Sequence, residues 1–401
     1  MTERDAIGGV WVPLAEEGDI PDAIRREGAW VPRPLPSDVV LATSTHRGLA
    51  RAEQSLGRLD EAAERLPDRS SLVYYTMLRE AQSSAALEDA CVSLKDVLLA
   101  KLPGAKTVAE PEVEAITRYL DASRRAFGKV RDGGDIDLPL LGEISRQLSP
   151  ASSPSEEGTG FWRERTSWIS ARDGSAVVAH TPPGPHLQAT AQQWQEWVRA
   201  DHDMPLVAKV AIGHPQLELI HPFAGGNGYV ARLYVSLELV RAGVLRDQIL
   251  PLSRWLDRYR DEYNRQLRAV VDTGSFEDFL VFFAEGVHEL CTEQIHLIKR
   301  MEKLRSEHLE AVPGTGNARR VASELIGMPV TNHHLIAKRF GISVKGATDV
   351  ATKLHRAGLL TVKDNAKYNK IYIAHDVLEL LSSLDPVPPA SDDAVFGRPA
   401  R

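Results

Sequence analysis

From about 41 to 102, apolar residues recur three and four positions apart. The runs are "TSTHRGLARAEQSLGRLDEAAERL" and "SSLVYYTMLREAQSSAALEDACVSLKDVLLAKL", and the spacing predicts helices with one face on a core. Pro103-Gly104 ends this stretch. The same period predicts a helix over about 110–126 and another in "DIDLPLLGEISRQL", with Asp137 or Leu138 near its start. It returns at about Leu187 and runs almost unbroken to about Glu310. Two segments break the helical rule. Residues 1 to about 40 are rich in proline without clear periodicity, which predicts an extended arm lying on the core. "ASSPSEEGTGFWRER" reads as a loop. In "TSWISARDGSAVVAH", two β-prone runs flank Asp173-Gly174, the one strong hairpin signal in the first 300 residues.

After a linker "VPGTGN" (312–317), the pattern changes again. "TNHHLIAKRF" reads as a helix with Thr331 as candidate N-cap, "GIS" as a turn, and "VKGATDVATKLHRAGLL" as a second helix. "LTVKDNAKYNKIYIAH" reads as two strands with a polar tip. Helix, tight turn, helix and β-wing form a winged helix-turn-helix pattern. The tail after Pro386, rich in Pro, Asp and Ala, is expected to be disordered. No internal repeat is evident.

Charge sharpens this division. The 401 residues carry a net −7, but 317–375 hold ten Lys or Arg against three Asp or Glu, a local +7 beside −14 in the remainder. Such a split predicts two modules with different partners. Apolar content of 43% and charged content of 26% fit a soluble globular chain. No run approaches the ~20 apolar residues that span a bilayer, and the start lacks the basic and apolar regions of a signal peptide. Cys91 and Cys291 both fall in helix-patterned segments and are expected to be buried thiols, which fits a reducing cytoplasm. No CxxC or Cys/His zinc cluster occurs.

The chemistry concentrates at "HPFAGGNGYVAR", residues 221–232. A helix-like run ends at Pro222 and another begins after "AGGNG". The turn therefore feeds a helix N-terminus, where free backbone N–H groups bind anions. Gly225, Gly226 and Gly228 allow close backbone approach, and Asn227 tolerates left-handed geometry. Arg232, about one helical turn beyond Gly228, can reach back to a phosphate. His221 titrates near neutrality and can accept a hydroxyl proton. By these residues alone, a glycine-rich loop with one histidine is most often only a loop.

The stretch resembles the signature of the Fic (Fido) family, HPFx[D/E]GNGRxxR. His221, Pro222, Phe223, Gly226, Asn227, Gly228 and Arg232 match, whereas Gly225 stands at the metal-binding acid and Tyr229 at the first arginine. "PLSRWLDRYRDEYNRQL" resembles the family's nucleotide-contacting segment, the Asp173-Gly174 hairpin its target-positioning flap, and the N-terminal helices its N-terminal region. "SSAALED" resembles the inhibitory motif [S/T]xxxE[G/N], with Ser84 and Glu88 matching and Asp89 departing.

The resemblance implies a mainly α fold: 1–105 as N-terminal arm and inhibitory helices, 106–311 as a Fic core with a flap at about 166–180, 312–385 as a winged helix, and 386–401 as tail. It implies transfer of AMP from ATP to a Ser, Thr or Tyr hydroxyl of a target protein docked on the flap. His221 would be the base. Phe223, Gly225, Gly226, Asn227, Gly228 and Arg232 would form the nucleotide site, with Phe223 anchoring the loop. Tyr263 and Asn264 are either adenine or ribose contacts or a helix face packed on the core. Glu88, with Ser84, would pair with Arg232 and block the γ-phosphate position. Mg²⁺ would have to bind through phosphates and water, because Gly225 supplies no side-chain oxygen. Slow transfer or a changed donor is therefore expected. The alternative is a nucleotide-binding scaffold that regulates through DNA or protein binding by the winged helix. Homodimerisation is expected by resemblance only, and no membrane association is expected.

Overall fold

A computed structural model describes residues 4–14, 20–102, 111–148, 162–171, 174–363 and 370–382. The chain opens with an antiparallel meander of β1 (Arg4–Ala6), β2 (Gly9–Val12) and β3 (Ala29–Pro32), with α1 (Asp22–Glu27) before β3. This corrects the expectation of a simple arm. The hairpin Ala6↔Gly9 was not foreseen because its strands are too short to show alternation. Tertiary packing holds the sheet. Trp11 and Trp30 pair across it with ring centroids 5.0 Å apart. A Cβ on Gly8 would lie 2.7 Å from Gly274 Cα, so only glycine permits that contact.

The helical body follows. α2 (Thr43–Glu64) lies along α12 (Glu277–Ala311). α3 (Arg69–Leu87), capped by Asp68, runs through the interior against α5 (Pro111–Arg131) and α10 (Leu252–Arg258). α4 (Leu94–Ala100) and α6 (Leu138–Leu148) flank α5. β4 (Trp168–Ser170) and β5 (Ala176–Ala179) form the expected hairpin, with a register shift beside Ser170. Then come α7 (Pro185–Arg199), α8 (Leu206–Ile220), α9 (Asn227–Arg241) and α11 (Arg260–Thr273). α8 is buried on every side from Val207 to Ile220, and α9 nearly so. The charges these helices bury find partners inside, as Lys209 does with Glu238 of α9.

The last segment combines helices with a small three-stranded sheet. It comprises α13 (Asn317–Ser323), β6 (Val330–Asn332), α14 (His333–Phe340), α15 (Val344–Arg356), β7 (Thr361–Val362), β8 (Ile371–Ile373) and α16 (His375–Ser382), with strand order β6-β8-β7. The cap of α14 is Asn332, whose Oδ1 accepts from Leu335 N at 2.8 Å. Thr331 is not the cap, because pairing with Tyr372 holds it in β6. The 312–317 stretch is no loose tether. Val312 is buried, and Arg319 donates to the Leu309 and Val312 carbonyls. α16 packs on α4, and Arg79 of α3 donates to the Leu381 carbonyl. The tail after 386 and the Pro103-Gly104 turn lie outside the described residues.

Cys291 is buried, but Cys91 is exposed. Its helix ends at Leu87, leaving Cys91 in the connection to α4. Among the described residues no helix is long and apolar enough to cross a membrane.

One polar contact inside this body has a titratable consequence. Glu80 is fully buried on α3 and accepts hydrogen bonds from Ser253 N at 2.9 Å and Ser253 Oγ at 2.5 Å. Burial outweighs these bonds and the Arg232 charge, and pushes its carboxyl up to about 7. The folded chain thus holds a proton that the unfolded chain releases near 4.5. The stabilisation is complete below pH ~4.5 and fades as pH rises through ~7, by about 3 kcal/mol in full. Glu80→Gln is expected to flatten the fall in urea-unfolding free energy between pH 5 and 8. An unchanged slope would rule this carboxyl out as its source.

Candidate functional site

His221 ends α8 in the left-handed region, with φ 52° and ψ 58°. A β-carbon there costs energy, so the surroundings must impose it. They do so through Arg163, a residue the sequence reading left in a loop. Arg163 Nε donates to His221 O at 2.8 Å, and Nη2 to Thr181 O at 2.6 Å and Ile220 O at 3.3 Å. Its backbone N donates to Pro222 O at 2.9 Å. One buried guanidinium thus takes up the carbonyls left open where α8 stops and ties them to the segment following β5.

The His221 ring stacks on His180 at 3.8 Å and 12°. His180, also missed in the sequence, is buried, and its Nδ1 meets Ser167 Oγ at 2.9 Å. Burial first, then Arg163, push the His221 imidazole down to about 3 against the Glu218 carbonyl, which favours the charged form. The His180 imidazole is likewise held well below its usual range by burial and by His221. Both rings are neutral at pH 7.

Beyond His221, Phe223 is fully buried and bridges to Trp162. Asn227 closes the loop on itself: Oδ1 accepts from Phe223 N and Nδ2 donates to Phe223 O, both at 2.7 Å. Its side chain is therefore committed to the loop, and only its backbone can face a ligand. Ser145 Oγ donates to Gly225 O at 2.6 Å. Gly226 takes φ 66° and caps α9 without any side-chain hydrogen bond.

At that helix start lies an anion belonging to the chain itself. Glu88, at the end of α3, places Oε1 2.9 Å from Arg232 Nη2 and 2.5 Å from where a Cβ on Gly228 would stand. Glycine at 228 is required for this approach. Arg232 is buried, and also donates through Nε to Ser84 Oγ at 2.8 Å and through Nη2 to Ser84 O at 3.2 Å. Glu88 remains 46% exposed, so one side of the pair faces solvent. Asp89, which departs from the motif, adopts φ 61°, a conformation open to Gly and Asn and tolerated by Asp. Arg260 holds it through Asp89 Oδ1 at 2.7 Å and also donates to the Ala86 carbonyl. Tyr229 lies beneath the Arg232 guanidinium, 5.4 Å from its ring centroid, and offers a π-face where the motif has a second cation.

Tyr263 and Asn264 do not join this group at its surface. Tyr263 is buried with its hydroxyl 2.9 Å from His214 Nε2, and His214 Nδ1 meets Ala231 O at 2.9 Å. Asn264 is buried beside it on α11. Both side chains therefore pack into the core on α11. Among the described residues no group of three or more His, Cys, Asp or Glu could hold a metal ion. With Gly225 in place of an acid, the loop's donors do not fit a resident Mg²⁺.

Because Asn227 satisfies both polar groups of Phe223, Asn227→Ala is expected to cost about 2–4 kcal/mol in urea unfolding. Asn227→Asp keeps the acceptor but sets an oxygen against the Phe223 carbonyl, and should cost at least as much. A loss under ~0.5 kcal/mol for Asn227→Ala would show that the loop is held otherwise.

Both the sequence and the fold have known relatives. Residues 46–128 match the Fic/DOC family N-terminal region and residues 135–239 the Fic/DOC family. The "Protein adenylyltransferase Fic" of Drosophila yakuba is 33% identical over 163 residues, covering 40% of this chain and 28% of that protein. The same-named protein of Drosophila virilis is 33% identical over 121 residues, covering 29% and 22%. The matches thus span under a third of these relatives' length. The crystal structure of a Fic family protein from Desulfovibrio desulfuricans G20 superposes with a TM-score of 0.55 at 17% identity, covering 85% of this chain and 98% of that one, and shows a shared fold. By these matches residues 46–128 and 135–239 carry the two Fic/DOC regions, and over this stretch the chain belongs to the Fic/DOC family.

Proposed function

We propose that this chain is a protein adenylyltransferase restrained by its own Glu88. The observation that carries the reading is the Glu88 carboxylate lying on Arg232, against Gly228, at the first turn of α9. Helix N-termini and buried guanidinium groups are sites for phosphate, and here an internal carboxylate occupies both. When Glu88 moves away, the backbone of Gly226, Asn227 and Gly228 holds the α- and β-phosphates of ATP. Arg232 holds the terminal phosphate.

A target peptide adds to the β4–β5 hairpin, whose strands, among the described residues, pair only with each other in their sheet. Its Ser, Thr or Tyr oxygen bonds to the α-phosphorus, the bond to pyrophosphate breaks, and His221 takes the hydroxyl proton. His221 is neutral, as a base must be, but its depressed pKa makes it a weak one. The phosphate charge brought beside it raises that pKa as the site fills.

The departures set the rate. Tyr229 cannot replace a guanidinium, and one lost stabilising donor costs ~3 kcal/mol, about a hundredfold in rate. They also support a second reading, a scaffold that binds ATP without transferring AMP.

The test is incubation with ATP labelled at the α-phosphate, with Mg²⁺ or Mn²⁺ supplied. Label should accumulate on protein with Glu88→Gly, stay near background with wild type, and vanish with Glu88→Gly/His221→Ala. No label with any variant while ATP still binds would replace the transferase with the scaffold.

A further inference from the structure

The family matches end before α10, and the C-terminal segment carries its own chemistry. α15 buries Ala347, Val350, Ala351 and Leu354 against α13 and α14. Its opposite face exposes Lys345, Thr348, Asp349, Lys353 and Arg356, with Thr352 half-buried among them. Lys345, Thr348, Thr352 and Arg356 follow one another at three- and four-residue steps, so they form one stripe. Lys363 and Lys370 stand exposed beside β7 and β8, and Lys338 is exposed on α14.

Several arginines of the helical body are held in ion pairs: Arg254 and Arg258 hold Glu293, Arg260 holds Asp89, and Arg268 holds Glu27. In the C-terminal segment Arg319 folds inward and Arg339 pairs with Glu324. Lys338, Lys345, Lys353, Arg356, Lys363 and Lys370 have no ion-pair partner among the described residues. A surface that exposes six unpaired cations on a chain of net −7 calls for a polyanion.

We infer that the outer face of α15, together with Lys363 and Lys370 beside β7 and β8, binds double-stranded DNA. The shape decides among polyanions. α15 has 13 residues, about 20 Å of helix, and stands clear of its neighbours on one side, as entry into a ~12 Å major groove requires. Thr348 and Thr352 are short enough to let the helix approach base edges, and Asp349 is the acceptor that a cytosine amino group matches. The lysines flank them at the height of the phosphates, and Lys363 and Lys370 reach the neighbouring backbone. The −14 of the remaining chain repels DNA from every other face and so orients the encounter. None of this rests on the ATP reading.

The test is fluorescence anisotropy of a labelled 30-base-pair mixed-sequence duplex with the full chain, from 50 to 200 mM KCl. About four phosphate contacts predict roughly a hundredfold weakening across that range. Lys345→Ala/Lys353→Ala/Arg356→Ala should bind at least tenfold more weakly with a shallower salt dependence, and so should Lys363→Ala/Lys370→Ala to a lesser degree. Lys95→Ala/Lys299→Ala, exposed elsewhere, should bind like wild type. Unchanged melting temperatures show that the variants are folded. No binding at 50 mM KCl, binding indifferent to salt, or equal losses with the control pair would overturn the inference and leave this face to a protein partner. Failure of AMP labelling leaves this result untouched, and the reverse holds.

Discussion

A buried guanidinium must have a partner, and the arrangement around the loop follows from which partner Arg232 takes. It sits inside the protein with permanent charge and a fixed fork of donors. Burying such a charge alone is prohibitive. Ser84 supplies neutral acceptors, and Glu88 supplies the only negative charge bonded to it among the described residues. A phosphate would satisfy the same donors. On the proposed reading the protein therefore has two states of comparable electrostatic satisfaction, one closed by its own carboxylate and one by ligand.

The position of Glu88 depends on α3, and α3 is fixed along its length. Glu80 binds the start of α10, Arg79 binds the end of α16, and Arg260 binds the Ala86 carbonyl and Asp89. Two of these contacts come from α10 and α11, and one from α16 near the end of the described chain. The carboxylate at the loop and the basic surface of α15 thus belong to elements joined through a single buried helix.

Much of this was legible in the sequence because it is local. Glycines at 226 and 228, His221 and Arg232 sit within twelve residues, and helix period and the Asp173-Gly174 turn marked their supports. Ser84 and Glu88 were legible by motif alone, since only the fold brings them 144 to 148 positions forward to Arg232. Arg163 and His180 were invisible. Their roles depend on three chain segments meeting at the end of α8, which no spacing reports. Tyr263 illustrates the converse: it falls in a segment that resembles nucleotide-binding sequence, yet its hydroxyl is spent on His214. The first sheet was missed because strands of three or four residues carry too little alternation to be read.

The central claim is that Glu88 and phosphate compete for Arg232. Calorimetric titration of ATP, without added metal, into wild type, Glu88→Gly and Glu88→Gly/Arg232→Ala measures that competition directly. The account predicts at least about tenfold tighter binding with Glu88→Gly, some 1.4 kcal/mol, and loss of the gain when Arg232 is also removed. Equal affinity for wild type and Glu88→Gly would contradict it.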